Sequence, residues 1–133
     1  VVIWTRVQSN NEARTLPGTA NKNNINRSNS PEKTKILFIN KNISLDAEGS
    51  IGAPKSVLVM DFVITNNSER PIKDVTVECK VFGESGTFVD FNKKTIYQSF
   101  APGERKFVFY FNMGFVNPQG VSTSCSVTNF EFN

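Results

Sequence analysis

Histidine is missing from the 133 residues altogether. The commonest general base and the commonest side-chain ligand for transition metals are therefore unavailable. Ser-His-Asp and Cys-His nucleophilic arrangements are excluded outright. Cysteine is nearly as scarce: two residues cannot complete a four-ligand zinc site without carboxylate help. No loop gathers the roughly six to eight oxygens that calcium requires. No phosphate-binding loop is present. These absences leave no catalytic constellation, no cofactor site and no small-molecule substrate site, and the chain reads as a non-enzyme.

Dense positive charge is also lacking. Residues 1–34 hold Arg6, Arg14, Lys22, Arg27 and Lys33 against Glu12 and Glu32, whereas residues 35–133 hold ten cations and ten carboxylates. The net charge of +3 thus belongs to the leader, and its cations are sparse. A nucleic-acid binder shows a basic stripe with clustered aromatics, so no nucleic-acid partner is expected.

What is abundant is phenylalanine, twelve of the fifteen aromatic residues. Phe has no polar tip to satisfy and suits a sandwich core. The pattern centres on residues 56–82. Val75, Val77, Cys79 and Val81 share one parity, while Thr76, Glu78 and Lys80 take the other. That alternation of period 2 predicts a half-buried strand. The run Val57 to Thr65 is apolar on both parities apart from Asp61, which predicts a central strand covered on most of both faces. Asp61 itself is expected to face solvent or to be hydrogen-bonded. Asn66 to Pro71 forms a turn between the two runs.

Further strands are expected along the chain. Lys35–Ile39 and Ile43–Asp46 together suggest a first edge strand kinked near Asn40–Asn42, followed by a loop over Ala47–Ser56. Thr87–Phe91 and Thr95–Phe100 read as two short strands around Asn92–Lys94. Ala101-Pro102-Gly103-Glu104 fits a type II turn. In the next strand Phe107, Phe109, Phe111 and Met113 share a parity and are assigned to the core. In the last strand, Val121 to Phe132, a bulge near Asn129 would return Phe130 and Phe132 to the core side. The expected fold is all-β: a single antiparallel immunoglobulin-like sandwich of about seven strands with an extended N-terminal segment. The division is residues 1–34 as leader and 35–133 as sandwich.

The leader begins Val1-Val2-Ile3-Trp4 and continues, from residue 8 to 34, rich in Asn, Ser and Thr. The start invites three readings: the end of a membrane anchor lying upstream of Val1, with Trp4 at the interface; a short ordinary strand; or a strand donated to a neighbouring subunit's sheet edge. Residues 8–34 are too polar to repay their ordering alone and read as a tether, ordered against a partner. Val1, Val2, Ile3 and Trp4 are therefore candidate partner contacts. So are Phe82, Phe88 and Phe91 around the Gly83–Gly86 turn. Core burial is the preferred reading for these three, and an exposed apolar patch is the alternative. Cys79 and Cys125 both fall on core parity and form a candidate disulfide, with two buried free thiols as the alternative. A disulfide would place the domain in an oxidising compartment.

Four stretches together resemble the small FxLYD and CARDB domains: Val63-Ile64-Thr65-Asn66-Asn67, Val75 to Phe82, Phe100-Ala101-Pro102-Gly103-Glu104, and Cys125 to Phe130. Where the FxLYD signature has Leu-Tyr-Asp, this chain has Phe82-Gly83-Glu84. The resemblance implies a non-enzymatic immunoglobulin-like domain outside the cytoplasm, periplasmic or at the cell surface. Such domains are often membrane-tethered and serve in assembly or adhesion; the family has no common site to carry over. The sequence-based expectation is an accessory sandwich held at a membrane or in an assembly with other protein subunits. A free-standing module that recognises protein or glycan through the loops Gly83–Gly86 and Val116–Gly120 is the alternative, and a filament subunit that donates its first strand is a third form.

Overall fold

Alternating strands with one apolar face need a second apolar face, and here two antiparallel sheets supply it to each other. The computed structural model describes residues 2–7, 31–52 and 56–133. They form β1 (Val2–Val7), α1 (Pro31–Asn42), β2 (Ile43–Gly52), β3 (Val57–Asn66), β4 (Ile72–Phe82), β5 (Phe88–Phe100), β6 (Arg105–Phe115) and β7 (Ser122–Phe132). One sheet has the order β1-β2-β3-β6 and the other β5-β4-β7. The expected all-β antiparallel sandwich is observed. Val1 and the expected tether over residues 8–30 lie outside the described residues, as do residues 53–55 of the expected loop.

The core follows the parity of β3 and β4. Leu58, Met60, Phe62 and Ile64 of β3 meet Val75, Val77, Cys79 and Val81 of β4, all fully buried. These two strands are consecutive, yet they sit in opposite sheets and the Asn66–Pro71 turn crosses between them. Asn66 makes that crossing. It is a fully buried polar residue. Its Nδ2 donates to Arg70 O at 2.8 Å and to Phe100 O and Ala101 O at 3.2 Å. Its Oδ1 accepts from Ser68 N at 3.0 Å and Ser68 Oγ at 2.7 Å. Its backbone N–H donates to Glu104 O at 2.9 Å, and its carbonyl accepts from Gly103 N at 2.7 Å. One side chain thus ties the β3–β4 turn to the β5–β6 turn. The latter is the expected tight turn, with Glu104 N donating to Ala101 O at 3.0 Å and Gly103 at φ 79°.

Several expectations are corrected. Lys35–Ile39 is not an edge strand; it lies within α1, which also crosses the expected boundary at residue 34. Pro31 opens the helix, where its missing N–H costs nothing, and Glu32 and Lys41 complement the dipole at the two ends. These start signals outweigh the β preference of a five-residue run. The helix buries Ile39 and stacks Phe38 on Phe130 at 5.0 Å. The strand at Ile43 is β2, which continues through the expected loop to Gly52. Nor is β2 an edge: Val2–Val7 pairs with it antiparallel, from Val2 opposite Gly52 to Val7 opposite Ala47. The first strand is therefore paired within its own chain's sheet. The two short strands expected between residues 87 and 100 are one, β5.

In β7 the bulge falls where expected. Val127 pairs with Val77 but Asn129 with Thr76, so Thr128 is the extra residue and Phe130 returns to full burial. Phe132 stays at the margin, 38% exposed, edge-on to Phe130 at 4.9 Å and beneath the Arg70 guanidinium at 3.6 Å. Cys79 and Cys125 stand directly opposite each other in β4 and β7 and are disulfide-bonded, inside the core.

Candidate functional site

Strand β6 departs most from the parity pattern, and the departure builds the molecule's most distinctive surface. Phe107 pairs with Val63 and Val108 with Phe62, so Val108 faces the core and Phe107 faces out. Two β6 residues, Phe109 and Tyr110, then oppose the single residue Asp61. Tyr110 takes φ 55°, costly for a non-glycine residue, and its N–H donates to Asp61 Oδ1 at 2.8 Å. The bulge switches the parity, so that Phe111 and Met113 turn inward behind it. A second irregularity follows at Gly114 (φ 101°), whose N–H donates to Asn112 Oδ1 at 2.7 Å. The expected core set is thus half right: Met113 is buried and Phe111 packs on the core, but Phe107 and Phe109 are exposed and stack on each other at 5.8 Å.

Seven exposed large aromatics lie on two strands. β5 presents Phe88, Phe91 and Tyr97; β6 presents Phe107, Phe109, Tyr110 and Phe115, with exposures from 47% to 82%. These strands are the edges of opposite sheets and meet along one side of the sandwich. Three links close that seam. Asn92 Nδ2 donates to Met113 O at 2.8 Å and Phe115 O at 2.9 Å. Asn117 N donates to Asp90 Oδ2 at 2.8 Å. Lys106 Nζ donates to Ser99 O and lies over the Phe100 ring. The remaining exposed large hydrophobics among the described residues are Ile36 and Leu37 on α1 and Phe132.

The sequence-predicted contacts fall on part of this surface. Phe82, Phe88 and Phe91 do cluster, with ring centroids 6.1 Å and 6.5 Å apart along the series. The preferred core reading is corrected for Phe88 and Phe91, which stand half exposed on a strand at the edge of its sheet; Phe82 is half-buried between them and β7. Backbone register places Val2, Ile3 and Trp4 opposite Gly52, Ile51 and Ser50, at the opposite edge from β6 of the same four-stranded sheet. The β6 aromatics were not singled out as a surface. The signal was there: Phe107 to Phe111 is apolar on both parities, and an edge strand covered on one face cannot bury both.

Two shallower features flank the seam. The turns Gly83–Gly86 and Val116–Gly120 come together and line one groove with Val89 and Val121. Gly120 is required there, because a Cβ at that position would overlap Val81 Cγ1 and stand 3.3 Å from Asn117 O. A second groove runs between Phe107 and Phe109 of β6 and the carboxylates Asp46, Glu48 and Asp61, with Arg105 at its end. Among the described residues no group of three or more His, Cys, Asp or Glu is placed to hold a metal ion. No described helix is long and apolar enough to cross a membrane. The chain matches no protein-family model, no curated protein and no solved structure.

Proposed function

We propose that this protein is a non-catalytic accessory sandwich that works outside the cytoplasm and presents its β5–β6 side to a larger body, a membrane or a multi-subunit assembly. One observation carries the reading: seven exposed aromatics concentrate on two adjoining edge strands. Scattered single hydrophobics are ordinary on a protein surface, whereas aromatics concentrated on two adjoining strands mark a contact surface. The Cys79–Cys125 disulfide supports an oxidising compartment. The resemblance to FxLYD and CARDB domains supports the same location and a role in assembly. The pairing of Val2–Val7 with the chain's own β2 weighs against the form in which the first strand is donated.

The recognition-module reading gains from the joining of the two predicted loops in one groove. The two readings place the contact differently, and site-specific photocrosslinking separates them. A benzophenone amino acid at Tyr97 or Tyr110 should capture material in the native setting, while one at Ser85 or Gln119 should not. Capture from the loop positions alone would favour the recognition module. The compartment is read from the intact mass of natively purified protein: a 2 Da gain on reduction is expected for one disulfide, and no gain would remove that support.

A further inference from the structure

We infer that the outer face of the β5-β4-β7 sheet binds a neutral oligosaccharide, held by threonine hydroxyls beside α1 and stacked on Phe91 and Phe88. The inference shares two rings with the reading of the β5–β6 side but needs nothing from β6, so the two can fail separately.

The bulge in β7 gives the first argument. Its extra residue, Thr128, is half-buried, and its Oγ1 is closed to solvent with no hydrogen-bond partner among the described residues. Buried hydroxyls are nearly always paired, so this one asks for a cause. Bulges re-aim side chains beside functional sites. Thr128 lines a groove of about 500 Å³ between α1 and the sheet, where one staggered step of its χ1 turns the hydroxyl toward a new partner. A ligand there supplies the bond that the free protein lacks. Two more hydroxyls line the same groove, Thr76 Oγ1 and Thr95 Oγ1, 2.8 Å apart. Their mutual bond uses one proton of the pair and leaves the other, with spare lone pairs, for a ligand. The Asn129 amide adds donors and an acceptor, and half-exposed Ile36 an apolar patch. Mixed donors and acceptors beside an apolar patch suit a sugar, which carries hydroxyls on its rim and C–H groups on its faces.

Charge and shape give the second. Lys35, Lys80 and Lys93 on this face are matched by Glu32, Glu78 and Glu131. Lys93 opposes Glu78 in register, and Lys35 Nζ lies 3.8 Å from Glu131 Oε2. A face balanced in this way recruits neither an anion nor a cation. From the groove it runs along β5 through Thr95, Lys93 and Phe91, opposite Thr76, Glu78 and Lys80 of β4 with no break in register. That run is about 14 Å, four steps at about 3.4 Å each, long enough for a short oligosaccharide. It ends on Phe91 and Phe88, inclined by 24° with centroids 6.5 Å apart and each about half exposed. The electron-rich faces of such rings attract the polarised C–H groups of a sugar. Across the sheet β7 sets Ser126 opposite Glu78 and Ser124 opposite Lys80. Lys, Glu and Ser are depleted from protein–protein interfaces, which argues against a protein as the occupant of this face.

The test is an NMR titration of the full chain with neutral hexasaccharides built on glucose, mannose, galactose or N-acetylglucosamine. At least one should bind, shift the amides of Thr128, Thr95 and Phe91, and bind equally at low and high salt. Thr128→Val should weaken binding about three- to ten-fold, the loss of one hydrogen bond, and leave Tm unchanged or raised, because the hydroxyl has no partner to lose. Thr76→Val with Thr95→Val should weaken it further while stability stays nearly constant, since both partners of one bond are replaced together. Binding by none of the four sugars, shifts confined to the Gly83–Gly86 and Val116–Gly120 loops, weakening with salt, or affinity untouched by either set of variants would overturn the inference. A lowered Tm for Thr128→Val at unchanged affinity would overturn it too, by showing that the hydroxyl serves the fold. Saccharide binding without photocrosslinking at Tyr110 would uphold the inference and overturn the β5–β6 contact; crosslinking at Tyr110 without saccharide binding would do the reverse.

Discussion

Replacing Asn66 should unfold the sandwich at its crossing point more than any surface substitution of similar size. The side chain is fully buried and satisfies five groups: three carbonyl oxygens through Nδ2, and the Ser68 N–H and hydroxyl through Oδ1. Asn66→Ala removes every partner at once. Water can reach the Ser68 groups, whose bonds are only part-buried, so their loss costs about 1 kcal/mol together. Phe100 O is buried and loses a donor it cannot replace, at about 1–3 kcal/mol. The sum is about 2–4 kcal/mol, a large share of the 5–15 kcal/mol typical of a domain. For a body of this size it corresponds to a fall in Tm of about 10–25 °C. Asn66→Asp is a sharper test, since it sets a carboxylate against the same three carbonyls. The folded state would then favour the protonated carboxyl and raise its pKa above the unfolded value of about 3.9. A group whose folded pKa is raised binds more protons in the folded state, so the variant loses stability as pH rises above about 4 and recovers it on acidification. The assay is urea denaturation followed by far-UV circular dichroism between about pH 3.5 and pH 7, the carboxyl titration window. A loss below about 0.5 kcal/mol for Asn66→Ala, within the range of ordinary surface changes, or an Asn66→Asp penalty independent of pH, would refute the role assigned to this residue.

Two further perturbations test the packing. Converting both Cys79 and Cys125 to alanine removes a crosslink spanning 46 residues of chain and should lower stability by about 2–4 kcal/mol in denaturant titration; the same titration under reducing conditions should move the unmodified chain in the same direction. Gly49→Ala should cost about 1–3 kcal/mol by overpacking, because a Cβ there would overlap the Val59 carbonyl oxygen and Met60 Sδ and stand 2.9 Å from Met60 Cα; a neutral result in thermal unfolding would show that β2 and β3 can separate at that point.

Where one face is buried and the other wet, the sequence carries the answer in its parity. Val75 to Val81 shows this plainly, and so does the bulge in β7, because Phe130 on the wrong parity could reach the core only by an inserted residue. The helix was hidden because Lys35–Ile39, taken alone, has the composition of a strand; the decisive signals, Pro31 and Glu32, lie just upstream in polar sequence. Sheet membership was hidden as well. The Asn66–Pro71 turn has the composition of any polar turn, and only the buried bonds of Asn66 to Phe100 and Ala101 show that it crosses between layers.

The candidate surface was legible in composition and illegible in position. An unbroken alternation from Phe107 assigns Phe107, Phe109, Phe111 and Met113 to one face, and four such residues invite the core. Asp61 breaks that inference from a distance of 49 residues, by holding Tyr110 N–H and so stabilising the extra residue that divides the set. The consequence is specific. Before the bulge the small side chain of Val108 faces in and two rings face out; after it Phe111 and Met113 face in and Phe115 faces out. An edge strand with unbroken alternation would have buried Phe107 and Phe109 and left Val108 and Tyr110 outside. The bulge also interrupts the backbone row that another strand would need for pairing. The same carboxylate therefore exposes rings for contact and discourages the least selective kind of contact, edge-to-edge aggregation. Asp61, a lone charge in an otherwise apolar strand, is for this reason the residue on which the character of the β5–β6 side depends, although it lies on neither strand.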